Sequence, residues 1–303
     1  MGGGGEKMIC PPTTFVIMDR ALSSNISRGS NIAKLMCAVG HDVDYCLWTD
    51  IKNRDLSNRL VVFIKPREPA VFKVSCRGIV IDLVDDKQFF SDKGISKLIQ
   101  QGTCGIVFPN QYSMLRLSKG NAAFGVVHGD YFHIPQGFRQ DARPFCVGYF
   151  GSSTEDSLIR YIDDKLVRCM FRNDLLFDDH VSELSAYLAT MAACPYHINI
   201  RNSKDKPPGK TIVAARCGSA IILNRDSGGS EDLLPEDYPY WTRGVSQGDI
   251  NEALRYAEET YLGPVWDTAM IHMRAVVTAS ADSRVVDTYV NILCRAAEIA
   301  DDK

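Results

Sequence analysis

The sequence lacks the marks of several functional classes. It has no basic excess, since 34 Lys and Arg stand against 37 Asp and Glu, for a formal net charge of −3. A duplex-binding protein must neutralise phosphates and carries a surplus of cations, so no nucleic-acid partner is expected. No stretch approaches the roughly 20 apolar residues that a membrane span requires. The opening MGGGGEKMICPP has no apolar run of the signal-peptide kind, and Glu6 stands where N-myristoylation wants Ser or Thr. A cytoplasmic location is therefore expected, where the sequon Asn25-Ile26-Ser27 has no consequence. Ten cysteines are present, but no two are separated by only two or three residues, so zinc-ribbon spacing is missing. Most lie in apolar runs, such as Cys104 in CGIVFP and Cys146 in FCVGYF, which reads as reduced core thiols. No G-x-G-x-x-G follows an expected strand, which argues against an NAD-dependent dehydrogenase.

What is present is an alternation of short apolar runs with helical patterns, the mark of a doubly wound parallel sheet. The 303 residues suit two domains better than one core. Strands are expected at residues 14–18, 43–48, 60–64, 78–83, 105–108 and 124–127. Helices are expected at 31–39, closed by Gly40, and at 92–101, closed by Gly102. The polar, periodicity-free HIPQGFRQDARP over 133–144 reads as a linker. The second half restarts with strands at 145–150, 167–171, 196–200 and 220–223. Its helices are expected over 151–166, 179–193, 211–217 and 249–261, with a helical tail from 265 to 300 broken near 280–283. The expected division is a flexible N-terminus over 1–12, domains over 13–143 and 144–264, and C-terminal helices over 265–303. Periodicity leaves open whether those helices pack on the first domain or form a dimer contact.

Three loops of the second half could carry chemistry. Gly151-Ser152-Ser153 follows a strand and opens a helix, a geometry that offers free N–H groups and the positive end of the helix dipole to an anion. Plain capping by the hydroxyls is the alternative. Residues 199–210, NIRNSKDKPPGK, place Arg201, Asn202, Lys204, Lys206 and Lys210 between a strand and a short helix. Ligands of open α/β sheets bind at that end of the strands, and Arg and Lys are phosphate ligands. A solvated basic loop is the alternative. Asn224, Asp226, Ser230 and Glu231 sit in a Gly-rich loop after AIIL and supply donors and acceptors for hydroxyls, or simply make a turn.

The run KPPGKTIVAARCGSAIILNRDSGGSEDLL, residues 206–234, resembles the C-terminal signature of GT-B glycosyltransferases. A basic residue precedes a small-residue helix, Gly218 ends it, a strand follows, and a Gly/Ser loop with an acidic residue closes the unit. DYPYW at 237–241, VGYFGSSTE at 147–155 and SRGSNIAKLMCAVGHDVDY at 27–45 are similar to further parts of that family. The resemblance implies an α/β architecture of two Rossmann-like domains facing across a cleft. It also implies transfer of a sugar from a nucleotide-diphosphate sugar, the co-substrate, to a carbohydrate, lipid-linked or protein acceptor. Donor binding would fall to Gly151, Ser152, Ser153, Asn202, Asn224, Asp226, Ser230 and Glu231, with Arg201 and Lys210 holding the leaving phosphate. Arg28, Gly29, Ser30, Asn31 and Asp130 would lie on the acceptor side, and His128, at a strand's carboxyl end, would be the general base. For each a structural role is the alternative.

The chain also departs from that pattern. Common retaining members carry two glutamates seven residues apart, whereas Val213 holds the second place here and Asp205 roughly the first. No D-x-D motif lies in a suitable loop, since Asp82, Asp85 and Asp86 read as strand-end and capping residues. A metal-independent reaction without a cofactor is therefore expected. A nucleotide-sugar epimerase of the same fold, or a non-catalytic subunit serving a partner, remains open, as do a homo-oligomer and a peripheral membrane contact.

Overall fold

The computed structural model describes residues 9–18, 26–66, 69–84, 89–129, 143–151, 166–170 and 181–303. In chain order the strands are β1 (Thr13–Ile17), β2 (Val43–Leu47), β3 (Leu60–Ile64), β4 (Gly78–Asp82), β5 (Thr103–Phe108), β6 (Ala123–Val126), β7 (Val147–Gly151), β8 (Leu166–Met170), β9 (Tyr196–Asn199) and β10 (Ala220–Leu223). The helices are α1 (Asn31–Ala38), α2 (Asp92–Gln100), α3 (Gln111–Leu117), α4 (Val181–Ala193), α5 (Gly209–Arg216), α6 (Gln247–Thr260), α7 (Pro264–Ala279) and α8 (Asp282–Asp301). They fall into two compact units. The first is Met1–Pro109, Ser113–Val127 and Asp282–Lys303, and the second is Asn110–Tyr112 with His128–Ala281. The helix expected over 151–166 lies largely outside the described residues.

The first unit holds a parallel sheet in the order β2-β1-β3-β4-β5-β6. Strands such as LVVFI are buried at every position because helices cover both faces. The last helix, α8, lies over three neighbouring strands. A Cβ added to Gly78, Gly105 or Gly125 would meet Ala300, Ala296 or Ile292, respectively. These helix residues are four apart and so share one face. Glycine on each strand is what lets the helix come so close. Val285, Val286, Tyr289, Val290 and Leu293 continue the apolar contact into the core.

At the carboxyl end of β4 the first unit buries a charge network. Asp82 is fully buried and Arg28 nearly so. The Arg28 guanidinium donates through Nε to Asp82 Oδ2 at 2.9 Å, through Nη2 to Oδ1 at 3.1 Å, and through Nη1 to the Val127 carbonyl at 2.7 Å. The Tyr289 hydroxyl of α8 donates to Asp82 Oδ2 at 2.5 Å. Oδ1 also accepts the Val84 N–H at 3.1 Å, which helps hold that β-branched residue at a φ of 52°. The expectation that Asp82 merely caps a helix is replaced by this network.

The second unit holds a four-stranded parallel sheet, β10-β9-β7-β8. Its edge strand β10 is covered rather than left open, as sheet edges usually must be. The Tyr238 hydroxyl meets both the N–H and the C=O of Ile221, and the N–H of Thr242 donates to the carbonyl of Leu223. The DYPYW segment thus seals an edge. Beneath it Tyr196 donates to the Tyr240 hydroxyl at 2.8 Å and packs edge-on to Trp266. Helix α5 ends at Gly218, whose φ of 65° provides the left-handed stop. The helical tail breaks at Ser280-Ala281, so α7 belongs to the second unit and α8 to the first. No helix among the described residues is long and apolar enough to cross a membrane.

Two outcomes follow from these cores. Removing one partner of a buried ion pair strands the other, so Asp82→Ala should cost about 3–5 kcal/mol. Tyr289→Phe deletes one hydrogen bond to a charged group and should cost about 1.5–3 kcal/mol. Urea unfolding of both variants checks that order, and equal effects would contradict it. The second outcome concerns His197, buried on β9, where burial holds the imidazole down at about 4 and Nε2 lies 2.9 Å from the Met191 carbonyl. The unfolded chain takes up this proton below about 6.5 and the native chain only below about 4. Stability from this group is therefore full above pH 6.5 and falls by about 3 kcal/mol as the pH drops to 4. His197→Gln should flatten that part of the stability–pH curve.

Candidate functional site

In the second unit β8 lies to one side of β7 and β9 to the other, so the strand order reverses between β7 and β9. At such a reversal the connecting loops leave in opposite directions and open a crevice beyond the carboxyl ends of the strands. Gly151 ends β7 here, and Asn199 ends β9. The loop after β9 runs to α5, whose first turn carries Lys210. The helix therefore presents its N-terminal N–H groups on this edge, where a helix is electropositive. Lys210 Nζ stands 4.9 Å from the centroid of the Tyr149 ring on β7. Among the described residues, the side-chain oxygen of Asn199 is a buried acceptor with no hydrogen-bond partner.

Two loops at this edge are fastened to each other. The Asn224 side chain pairs with the main chain of Arg201, accepting its N–H at 2.9 Å and donating to its carbonyl at 2.7 Å. The Ser227 hydroxyl lies 2.6 Å from both the Asn224 side-chain oxygen and the Asn199 carbonyl. Ser203 donates through its N–H to the Asp226 carbonyl, and Gly229 donates to the Lys206 carbonyl at 2.7 Å. Gly228, at a φ of 73°, lies against the Lys206 backbone, where a Cβ would clash at 2.7 Å. The Ser230 hydroxyl is 2.8 Å from that of Thr211 in the first turn of α5. Lys204 pairs with Asp226 at 3.2 Å on the surface.

A third segment joins this assembly from far along the chain. Asn110 Nδ2 donates to the carbonyls of Lys204 at 2.6 Å and Lys206 at 2.9 Å. Asp232 accepts the Gln111 N–H at 2.6 Å and lies 3.1 Å from His128 Nε2. Nδ1 of His128 is buried, with no hydrogen-bond partner among the described residues. Beside the same loop a cavity of about 410 Å³ is lined by Arg225, Glu231, Leu234, Pro235 and Glu236. Arg225 stacks 4.5 Å above Trp241 there and donates to the Glu236 carbonyl.

The sequence-derived candidates thus divide. Gly151 at the end of β7, Lys210 in the first turn of α5, and Arg201, Asn202, Asp226, Glu231 and His128 in the connecting segments lie at or beside this edge. Asn224 and Ser230 are buried and turned toward main chain and Thr211, so they shape the loops instead of offering hydroxyl contacts. Arg28 is corrected as well, because its guanidinium is committed to Asp82 and Val127 and not to a ligand. Gly29 packs near Ile17, Ser30 donates to the Ile26 carbonyl, and Asn31 begins α1. Ser152, Ser153 and Asp130 lie outside the described residues. Sequence reasoning missed the parts played by Asn110, Tyr149, Ser227, Asp232 and Trp241. Ser227 stood inside the loop it singled out, Asp232 one residue beyond it, and Tyr149 and Trp241 in segments quoted only for their resemblance.

No protein-family model matches the sequence, and no curated protein sequence matches it. Solved structures do. A glycosyltransferase from Rickettsia africae ESF-5 superposes with a TM-score of 0.60 at 10% identity, covering 96% of this chain and 99% of that one. Anabaena Alr3699/HepE, in complex with UDP and glucose, gives 0.56 at 11% identity, covering 93% and 97%. The GtfA/B complex gives 0.56 at 11% identity over 82% of this chain, which spans only 60% of the length of that one. These likenesses establish the GT-B fold, two parallel-sheet α/β units in one chain, as the resemblance implied.

The Asn224 clamp generates a local prediction. Asn224→Ala leaves the Arg201 main chain unsatisfied at a cost of about 1–3 kcal/mol. Hydrogen exchange at the Arg201 amide should then accelerate by about tenfold or more, since 1.4 kcal/mol is a factor of ten. Unchanged exchange would show that the loop is held by other means.

Proposed function

We propose that the protein is a glycosyltransferase whose second unit binds a nucleoside-diphosphate sugar at the carboxyl edge of its sheet. The observation that carries this reading is the first turn of α5, with Lys210 in place, at the reversal between β7 and β9. A diphosphate there would meet main-chain N–H groups, the helix dipole and two cationic side chains, Lys210 and Arg201. The Anabaena neighbour of the same fold is bound to UDP and glucose, which favours a uridine nucleotide as the first ligand to test.

The chemistry follows from where charge develops. As the glycosidic bond of the donor breaks, negative charge accumulates on the departing diphosphate. Groups already aimed at it stabilise the transition state more than the ground state and need little reorganisation. Lys210 and Arg201 take this part in the proposed mechanism, which uses no metal ion. Glu231 and Arg225, lining the adjoining cavity, supply an acceptor and a donor suited to hydroxyl groups of the ligand.

The test is donor turnover with and without Lys210. Lys210→Ala should lower kcat by about 10²–10³, as removal of a preorganised charge stabiliser does. Near-normal turnover would remove Lys210 from the mechanism. The same assay run with a chelator should be unaffected. Donor consumed without any acceptor, with the sugar's configuration altered, would point to an epimerase instead.

A further inference from the structure

The opposite edge of the second sheet carries a feature that sugar transfer does not use. Cys146 immediately precedes β7, and Cys194 lies in the turn between α4 and β9. The parallel register pairs Val147 with Tyr196 and so places Cys146 level with Pro195, one residue from Cys194. With strands about 4.8 Å apart and a rise of about 3.3 Å per residue, an offset of one residue puts the two Cα atoms about 5.8 Å apart, inside the about 4.4–6.8 Å that a disulfide spans. The side chains also face each other. Cys146 and Gly148 share one face of β7 because side chains alternate along a strand. Over that face lies the Cys194 sulfur, 3.0 Å from where a Cβ on Gly148 would stand. The Cys146 sulfur in turn lies 4.0 Å from the Ala193 carbonyl.

The two thiols differ in character. Cys194 is buried, whereas Cys146 is partly open to solvent. A hydrogen bond from the Cys194 thiol brings the Cys146 thiol down to about 7, against burial, with help from the Arg143 guanidinium. Arg143 is fixed at this edge by donating to the carbonyls of Ala192 and Gly218. A cation beside a partly exposed sulfur is the setting in which a thiolate becomes nucleophilic. Neither cysteine is disulfide-bonded in the structure.

We propose that Cys146 and Cys194 form a modification site for peroxides, with Cys146 as the attacking thiolate and Cys194 as the resolving thiol. The Cys146 sulfur attacks one oxygen of hydrogen peroxide. The S–O bond forms, the O–O bond breaks, and the departing hydroxide takes up a proton to become water. This leaves a sulfenic acid. The Cys194 sulfur then attacks the Cys146 sulfur. The S–S bond forms, the S–O bond breaks, and the departing hydroxide leaves as water with the Cys194 proton. Two thiols lose two electrons in total, and one peroxide becomes two waters. The product ties the start of β7 to the entry of β9 and closes the intervening chain into a covalent loop.

The experiment treats the full chain with hydrogen peroxide at pH 7.5, blocks remaining thiols under denaturing conditions and maps peptides by mass spectrometry. A linked Cys146–Cys194 peptide should appear before oxidation at Cys37, which is exposed. Cys194→Ser should halt the reaction at a sulfenic acid on Cys146, trapped by dimedone, and Cys146→Ser should abolish both products. On the untreated wild-type chain, the rate of iodoacetamide labelling at Cys146 should titrate with a midpoint near 7. A midpoint at or above about 8.5, the value of an ordinary thiol, would overturn the proposal. So would a peptide map in which Cys146 and Cys194 stay reduced while Cys37 is oxidised.

Discussion

Parallel pairing gives the second unit two unlike edges, and most of its chemistry follows from that constraint. When strands run the same way, every connecting helix returns antiparallel to them. Helix N-termini then collect where strands end, and helix C-termini collect where strands begin. The first edge gathers free N–H groups and becomes electropositive, while the second gathers carbonyls and becomes electronegative. The side chains match this polarity. At the carboxyl edge α5 opens with Lys210, and the loops there are rich in groups an anion can use. At the amino edge buried Arg143 donates to the carbonyls of Ala192, Cys194 and Gly218 at the ends of α4 and α5. An unneutralised cluster of carbonyls would be costly to bury, and Arg143 offsets that cost.

Loop shape at the carboxyl edge depends on groups that need not touch a ligand. Asn224 acts as a short extension of the β9–β10 ladder, with its amide taking the place of a peptide beside Arg201. Ser227, Gly229 and Asn110 continue the fastening to residues 203–206. A site assembled from loops needs this support, because a ligand binds well only where the donors already stand in place. Lys210 is placed in the same manner. The face of Tyr149 attracts its ammonium by the ring quadrupole and contributes no formal negative charge of its own.

The sequence discloses elements better than it discloses partners. LVVFI and AIIL declare themselves as strands because burial on both faces demands unbroken apolar runs, and both are found at the expected residues. Gly218 marks the end of α5 because only glycine takes the left-handed stop cheaply. Arg28 was misassigned for the opposite reason. Its partner Asp82 lies 54 residues away, and no local pattern signals a pairing that only the folded sheet creates. Asn110 is equally silent in sequence, since it acts on carbonyls 94 and 96 residues further on. The polar loop at 224–231 was visible as a loop, but its composition could not distinguish groups that brace the backbone from groups that face outward. Gln111–Leu117 was missed as a helix because its seven residues are too few to establish a period.

The two edges share one pair of strands. Strand β7 runs five residues from Val147 to Gly151, so about 13 Å of backbone lies between the Cys146 end and the Gly151 end. What can pass between the edges is strain, because β7 and β9 are adjacent in the sheet and close-packed interiors transmit displacement. A covalent tie at the amino edge would restrain the same two strands between which the carboxyl-edge crevice opens. Thiol oxidation would thus have a mechanical route to the ligand edge, through the β7–β9 pair.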